Sequence, residues 1–115
     1  MTTESLPAIF ADSALPAPWH AETKSRLADG ETILAWLEID IDAKLHFTRG
    51  LVVVTDARLL TRMPEETEWQ HWPYRNGLAL RHHDHAGVGS LELFDDAETR
   101  SRLACWRYKI GRAHV

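Results

Sequence analysis

The chain has a single cysteine, Cys105, in 115 residues. No internal disulfide is available to it, and a reducing compartment is the simplest setting. It also lacks an excess of positive charge. Thirteen Lys and Arg stand against seventeen Asp and Glu, a formal net charge of -4. Nucleic acids and anionic membranes both select clustered cations, and these thirteen are scattered, so neither partner is expected. No stretch approaches the roughly 18–20 apolar residues of a membrane span. The opening "MTTESLPAIFADSALPAP" has no basic start and no apolar run of secretory length, so a cytoplasmic location is expected. There is no G-x-x-x-x-G-K-[ST] phosphate loop and no G-x-S-x-G elbow. No cofactor and no catalytic residue is expected, and no internal repeat is evident.

Bulky apolar residues are plentiful. The five tryptophans, Trp19, Trp36, Trp69, Trp72 and Trp106, each bring a large apolar area and one N–H that needs an acceptor. A chain of this size forms one domain and hides roughly two thirds of its unfolded surface. Residues 1–18, rich in Ala, Pro, Ser and Thr, read as a flexible tail, with Ile9 and Phe10 as its points of docking. Residues 19–115 read as the folded domain. "PWHAETKSRLADG" predicts a short helix: Pro18 suits a first turn, Trp19, Thr23 and Leu27 keep helical spacing, and Gly30 suits a stop.

From Ile33 the period becomes two. Ile33, Ala35, Leu37, Ile39 and Ile41 share one strand face, and Trp36, Glu38, Asp40 and Asp42 the other. "KLHFT" continues the alternation, with Leu45 and Phe47 inward and Lys44 and His46 outward. Gly50 marks a turn or bulge. "LVVVTD" suits a central strand, Thr55-Asp56-Ala57 a tight turn, and "RLLTRM" the return strand. Pro64 breaks the ladder. "EWQHWPY" sets Trp69 and His71 against Gln70 and Trp72. Asn76-Gly77 is the strongest short hairpin signal in the chain. "LALRHH", "GVGSLELFD" and "LACWRYKI" complete a set of short strands, with Trp106, Tyr108 and Ile110 alternating against Arg107 and Lys109. Such spacing indicates a mainly β fold, a small antiparallel sandwich or barrel.

"LRHHDHAG" raises the question of a metal. His82, Asp84 and His85 match three of the four positions of H-x-H-x-D-H, the metallo-β-lactamase pattern, but Leu80 stands where its first histidine belongs. On a strand His82 and His83 point to opposite faces, and His82 meets His85 only through a turn. The preferred reading is a solvated strand end with no metal, and the alternative is a metal-dependent enzyme or sensor built on His82, Asp84 and His85. A pH-sensing role is chemically open to these histidines, since imidazole titrates near neutrality. Cys105, in mid-strand, reads as an inert half-buried thiol. Glu65, Glu66 and Glu68 read as a solvated loop, since nothing apolar surrounds them to raise a pKa. "GVGS" reads as a bulge or a close backbone approach. Trp36, Trp69 and Trp72 read as core, or as the lining of an exposed groove that takes a partner peptide.

"LVVVTDARLL" resembles the hydrophobic strand, Thr-[Asn/Asp]-x-Arg-Leu turn and return strand of bacterial pleckstrin-homology-like (PH-like) domains. Across about residues 30–111, "DGETILAWLEIDIDAKLHFTRGLVVVTDARLL", "LRHHDHAGVGSLELFD" and "WRYKIGRAHV" are similar to the N-terminal cytosolic extension of a group of bacterial ABC exporters, some of them associated with cyanophycin metabolism. The resemblance implies two nearly orthogonal antiparallel sheets of seven strands in all, closed by a C-terminal helix. That helix is expected after "WRYKIG", and only four further residues follow that stretch, so it is expected to be missing or replaced. The implied role is a non-enzymatic accessory or regulatory module acting through protein contacts with the transmembrane and ATPase parts of an exporter. A stand-alone oligomerising module is the other reading, and a homo-oligomer is compatible with both. Phosphoinositide head groups are not an expected ligand: "EIDIDAKLH", at the position of the basic hairpin of lipid-binding relatives, sets Glu38, Asp40 and Asp42 against Lys44.

Overall fold

Alternating apolar and polar residues build seven antiparallel strands: β1 (Ile33–Ile41), β2 (Phe47–Thr55), β3 (Arg58–Arg62), β4 (Gln70–Pro73), β5 (Ala79–His85), β6 (Val88–Phe94) and β7 (Arg102–Lys109). The computed structural model describes residues 9–42, 44–64, 66, 68–96 and 101–109. The strands form one sheet in the order β4-β3-β2-β1-β7-β6-β5. Its two halves meet at a narrow seam, where Ile41 of β1 pairs with Arg107 of β7. The sheet folds over at this seam, because one buried cluster draws Leu37, Val52 and Leu59 from one half and Leu91, Leu93, Trp106 and Tyr108 from the other. The fold is therefore mainly β and sandwich- or barrel-like, as the strand pattern predicts. The ring of Trp72 on β4 lies 5.7 Å from that of Trp106 on β7 in an edge-to-face contact.

Glycines stand where backbone and side chain must approach. A Cβ on Gly89 would lie 2.2 Å from the Tyr108 ring, so the close approach predicted for "GVGS" is real and needs no bulge. Beside Gly50 the β1–β2 register does shift, between the pairs Ile39–Gly50 and Ile41–Phe47.

Three expectations are corrected. A second irregularity, between Ile33 and Ala35, turns Ile33 away from its predicted face. Ile33 packs with the outer cluster and Leu34 with the inner one. Leu45 and Phe47 do not point inward. The β1–β2 turn ends the alternation: the Asp42 carboxylate accepts the N–H groups of Lys44 (2.8 Å) and His46 (2.9 Å), and Leu45 takes a left-handed conformation, φ 65°. Both apolar side chains are left in solvent. Asn76-Gly77 does form a turn, with Gly77 at φ 91°, but it makes no hairpin. Its flanking strands, β4 and β5, lie at opposite edges of the sheet. The turn instead sits against the β6–β7 connection, where Arg75 pairs with Asp95.

The outer face of β1–β3 carries Leu51, Val53 and Leu60, which would be exposed without a cover. Residues 9–32 supply it. Ile9 and Phe10 pack against the inner core, and Ala11 exchanges two 2.9 Å hydrogen bonds with Trp36, on the part of β1 that β7 leaves unpaired. Leu15, Trp19 and Leu27 then lie on the outer cluster. The helix is shorter than the 18–30 spacing suggests. A 3-10 turn (Ala17–Trp19) leads into α1 (His20–Lys24), which ends at Ser25, whose hydroxyl donates to the Glu22 carbonyl at 2.6 Å. Trp19 and Thr23 are buried as their spacing predicts. Ile110 and the position of a closing C-terminal helix lie outside the described residues.

Candidate functional site

The histidine-rich strand β5 is one edge of the sheet, paired with β6 alone among the described residues. Ala86 and Gly87, at φ 52° and 83°, form the two-residue loop that joins it to β6. Such a loop makes His85–Val88 a hydrogen-bonded pair. The register then runs without a shift to Ala79–Phe94, so the backbone N–H and C=O groups of Leu80, His82 and Asp84 point away from the sheet.

The side chains alternate. Leu80, His82 and Asp84 pair with Leu93, Leu91 and Gly89 and share the inner face. Arg81, His83 and His85 share the outer face. Residues 81–85 are all exposed. His82 and Asp84 therefore lie on one side of the strand and His85 on the other, and no turn intervenes to bring them together. Among the described residues no three His, Cys, Asp or Glu are placed to hold a metal ion. His83 Nδ1 instead lies 3.3 Å from Glu92 Oε1, while the other Glu92 oxygen accepts Arg102 Nη1 at 2.9 Å.

Asp84 has one further neighbour of note. The Tyr108 ring lies across Gly89, and its hydroxyl is buried without a hydrogen-bond partner among the described residues. Burial raises the Tyr108 pKa, and the charge of Asp84 adds to that. Cys105 is half-buried in β7, and burial raises its thiol pKa too, which suppresses the thiolate. Glu66 and Glu68 lie in the β3–β4 connection and Glu65 lies outside the described residues.

The three tryptophans proposed as a groove are divided between the two faces. Trp36 and Trp69 belong to the outer cluster, and their indole N–H groups donate to Ser13 O (2.8 Å) and Glu22 Oε2 (3.1 Å). Trp72 packs on the inner core. They do not line one surface, and residues 13 and 22 lie over two of them.

The most strongly perturbed carboxyl is Glu31, which the sequence does not single out. Its oxygens accept Arg58 Nε and Nη2 (both 3.0 Å), the Thr55 hydroxyl (2.6 Å) and the Ala28 N–H (2.9 Å). The Arg58 hydrogen bonds are the main cause that holds its pKa at about 2. Arg58 also donates to the Arg26 carbonyl at 2.8 Å, and the Tyr74 hydroxyl donates to the carbonyl of Thr55 at 2.7 Å. Burial pushes that phenol up to about 12. Every member of this knot is engaged with another, so it is a structural clamp between residues 26–31 and the β2–β3 turn.

Sequence reasoning also missed the β1–β2 turn as a surface feature. Its signal was Asp42, a side chain able to accept the backbone N–H groups that follow it. No protein-family model, curated protein or solved structure matches this chain. Among the described residues no helix is long and apolar enough to cross a membrane.

Proposed function

We propose that this chain is a non-enzymatic, PH-like interaction module, and that it serves an ABC exporter as an accessory or regulatory domain through protein contacts. The observation that carries the reading is the open edge of β5. It offers three residues' worth of outward N–H and C=O groups to an incoming strand. Arg81, His83 and His85 on its outer face favour a partner strand with acidic residues at alternate positions. Seven antiparallel strands are the number that the resemblance implies, which supports the reading, and the exporter context rests on that resemblance.

The test is titration of the domain against the detergent-solubilised membrane-spanning and ATPase parts of the exporter encoded with it. His82→Pro is the decisive variant. The His82 N–H faces away from β6, so proline removes an edge donor without breaking the β5–β6 ladder. Binding by the parent protein and a loss of at least tenfold in His82→Pro is the expected result. No binding, or equal binding by the variant, overturns the reading. Stoichiometric zinc in purified protein, lost on His82→Ala, overturns the non-enzymatic assignment.

A further inference from the structure

Across the outer face of β5, β6 and β7 the register gathers cations that are dispersed in the sequence. His83 pairs with Ser90 and Ser90 with Arg107; His85 pairs with Val88 and Val88 with Lys109. These six side chains share the outer face, because Leu80, Leu91, Trp106 and Tyr108, which alternate with them, face the core. Antiparallel strands lie about 4.8 Å apart, and alternate residues about 6.8 Å apart along each. His83, His85, Arg107 and Lys109 therefore stand at the corners of a rectangle of about 10 by 7 Å. Its middle holds Ser90 and Val88, small and neutral.

The charge of this face is opposite to that of the chain. It carries Arg81, Arg102, Arg107 and Lys109 against Glu92, a balance of +3 with histidine neutral, so the rest of the chain carries -7 of the formal -4. Glu92 lies outside the rectangle, beside Arg81. Its oxygens are engaged by Arg102 at 2.9 Å and by His83 Nδ1 at 3.3 Å, which leaves His83 Nε2 facing away from it. Asp40 borders the face from β1, where its carboxylate accepts the Lys109 backbone N–H at 2.7 Å. Among the described residues no salt bridge on this face involves His85, Arg107 or Lys109.

We propose that the rectangle binds a phosphate-class oxyanion from solution. Arg107 and Lys109 hold it from one side, the imidazole N–H groups of His83 and His85 from the other, and the Ser90 hydroxyl donates from beneath. The long Arg and Lys stems span the distance to the centre, and the oxygens of a tetrahedral anion make up the difference for the shorter imidazoles. A lone carboxylate has one charge and two oxygens and cannot meet all these donors at once. A lipid plane is not the source, because the acidic remainder of the chain is repelled by an anionic membrane. Exposed charge pairs are individually weak, so half-saturation is expected at about 1 mM and rises with added salt. The contact uses side chains on the face of the sheet and not the outward β5 backbone. His82→Pro leaves it intact, and it stands or falls separately from the exporter reading.

A nitrogen-15 NMR titration with sodium phosphate at pH 7, to about 50 mM at ionic strength held constant with sodium chloride, tests it. Saturating shifts centred on the His83, Ser90 and Lys109 amides are expected. Ser90→Asp, which sets a carboxylate in the middle, should abolish them, and Arg107→Gln combined with Lys109→Gln should weaken binding at least tenfold. Lys24→Gln, on α1, removes a cation elsewhere and should leave binding within twofold of the parent. The same spectra show whether each variant is folded, and either of the first two suffices. Shifts that do not saturate, equal affinity in a folded Ser90→Asp or Arg107→Gln/Lys109→Gln protein, or an equal loss in Lys24→Gln overturns the proposal. So does binding to phosphatidic acid vesicles without a response to soluble phosphate.

Discussion

Replacing Glu31 by glutamine should remove a pH-dependent clamp, and its size can be worked from the structure. The Glu31 side chain is 3 % exposed and its carboxylate accepts four hydrogen bonds, two of them from Arg58. Those bonds hold its pKa at about 2 in place of the ordinary 4.5. At about 1.4 kcal/mol per pH unit the difference corresponds to about 3 kcal/mol of folding stability. Glu31→Gln keeps the shape and loses the charge. It should therefore cost about 2–3 kcal/mol at pH 7, where the Arg58 guanidinium loses its carboxylate partner and keeps only neutral acceptors such as the Arg26 carbonyl. The folded pKa lies below the unfolded one, so the contribution is complete above about pH 5 and is lost as pH falls through 4.5 toward 2. Urea unfolding followed by tryptophan fluorescence, at pH 7, 5, 4 and 3, measures the gap between parent and variant. The gap should be constant from pH 7 to 5 and shrink steadily below that. A difference under about 0.5 kcal/mol at pH 7, or one that stays flat down to pH 3, would refute the argument.

Other outcomes follow from backbone and thiol environments. Gly89→Ala drives a methyl into the rigid Tyr108 ring and should cost about 2–3 kcal/mol, whereas Gly50→Ala meets chiefly the flexible thioether of Met63, with the Arg62 carbonyl at 3.1 Å, and should cost less, by the same urea assay. Ala86→Asn replaces a residue at φ 52° in the β5–β6 loop by one that tolerates the left-handed region, and should raise the unfolding free energy by about 0.5–1 kcal/mol. The Cys105 thiol, half-buried and with its pKa raised, should react with a disulfide reagent at pH 7 well below the rate of a free thiol, and faster as pH rises. Equal rates for the folded and the urea-unfolded protein would contradict the placement of Cys105.

The parts of the fold that were legible in the sequence are those where one local rule acts alone. Ala35, Leu37 and Ile39 alternate with polar residues and are buried, because a strand with one covered face permits no other arrangement. Thr55 and Asp56 were readable as a turn for a similar reason. The Thr55 hydroxyl accepts the N–H groups of Ala57 (3.1 Å) and Arg58 (3.0 Å), a purely local pattern. Legibility stops where a distant element decides. Asn76-Gly77 has the chemistry of a hairpin turn, yet the flanking strands pair with β3 and β6, and sequence cannot show which edge a strand will join. Leu45 and Phe47 keep the period of β1 on paper, but the Asp42 turn intervenes and reverses the faces. The histidines of β5 were legible as strand residues and not as a site, since convergence depends on which neighbours the register supplies.

The tetrapeptide "TDAR", which is part of the stretch that carries the resemblance to PH-like domains, is also a local structural device. Thr55 shapes the turn and donates to Glu31. Asp56 accepts the Thr32 N–H at 3.1 Å and returns its own N–H to the Thr32 carbonyl at 3.0 Å. Arg58 grips Glu31 and the Arg26 carbonyl. All three therefore bind residues 26–32 to the β2–β3 turn, and through them hold the cover over Leu51, Val53 and Leu60. A chain that must hide an apolar outer sheet face has reason to keep this tetrapeptide whatever its function. The motif consequently speaks for the architecture and for the packing of the N-terminal segment. It carries no information about a partner, and the β5 edge is built from other residues.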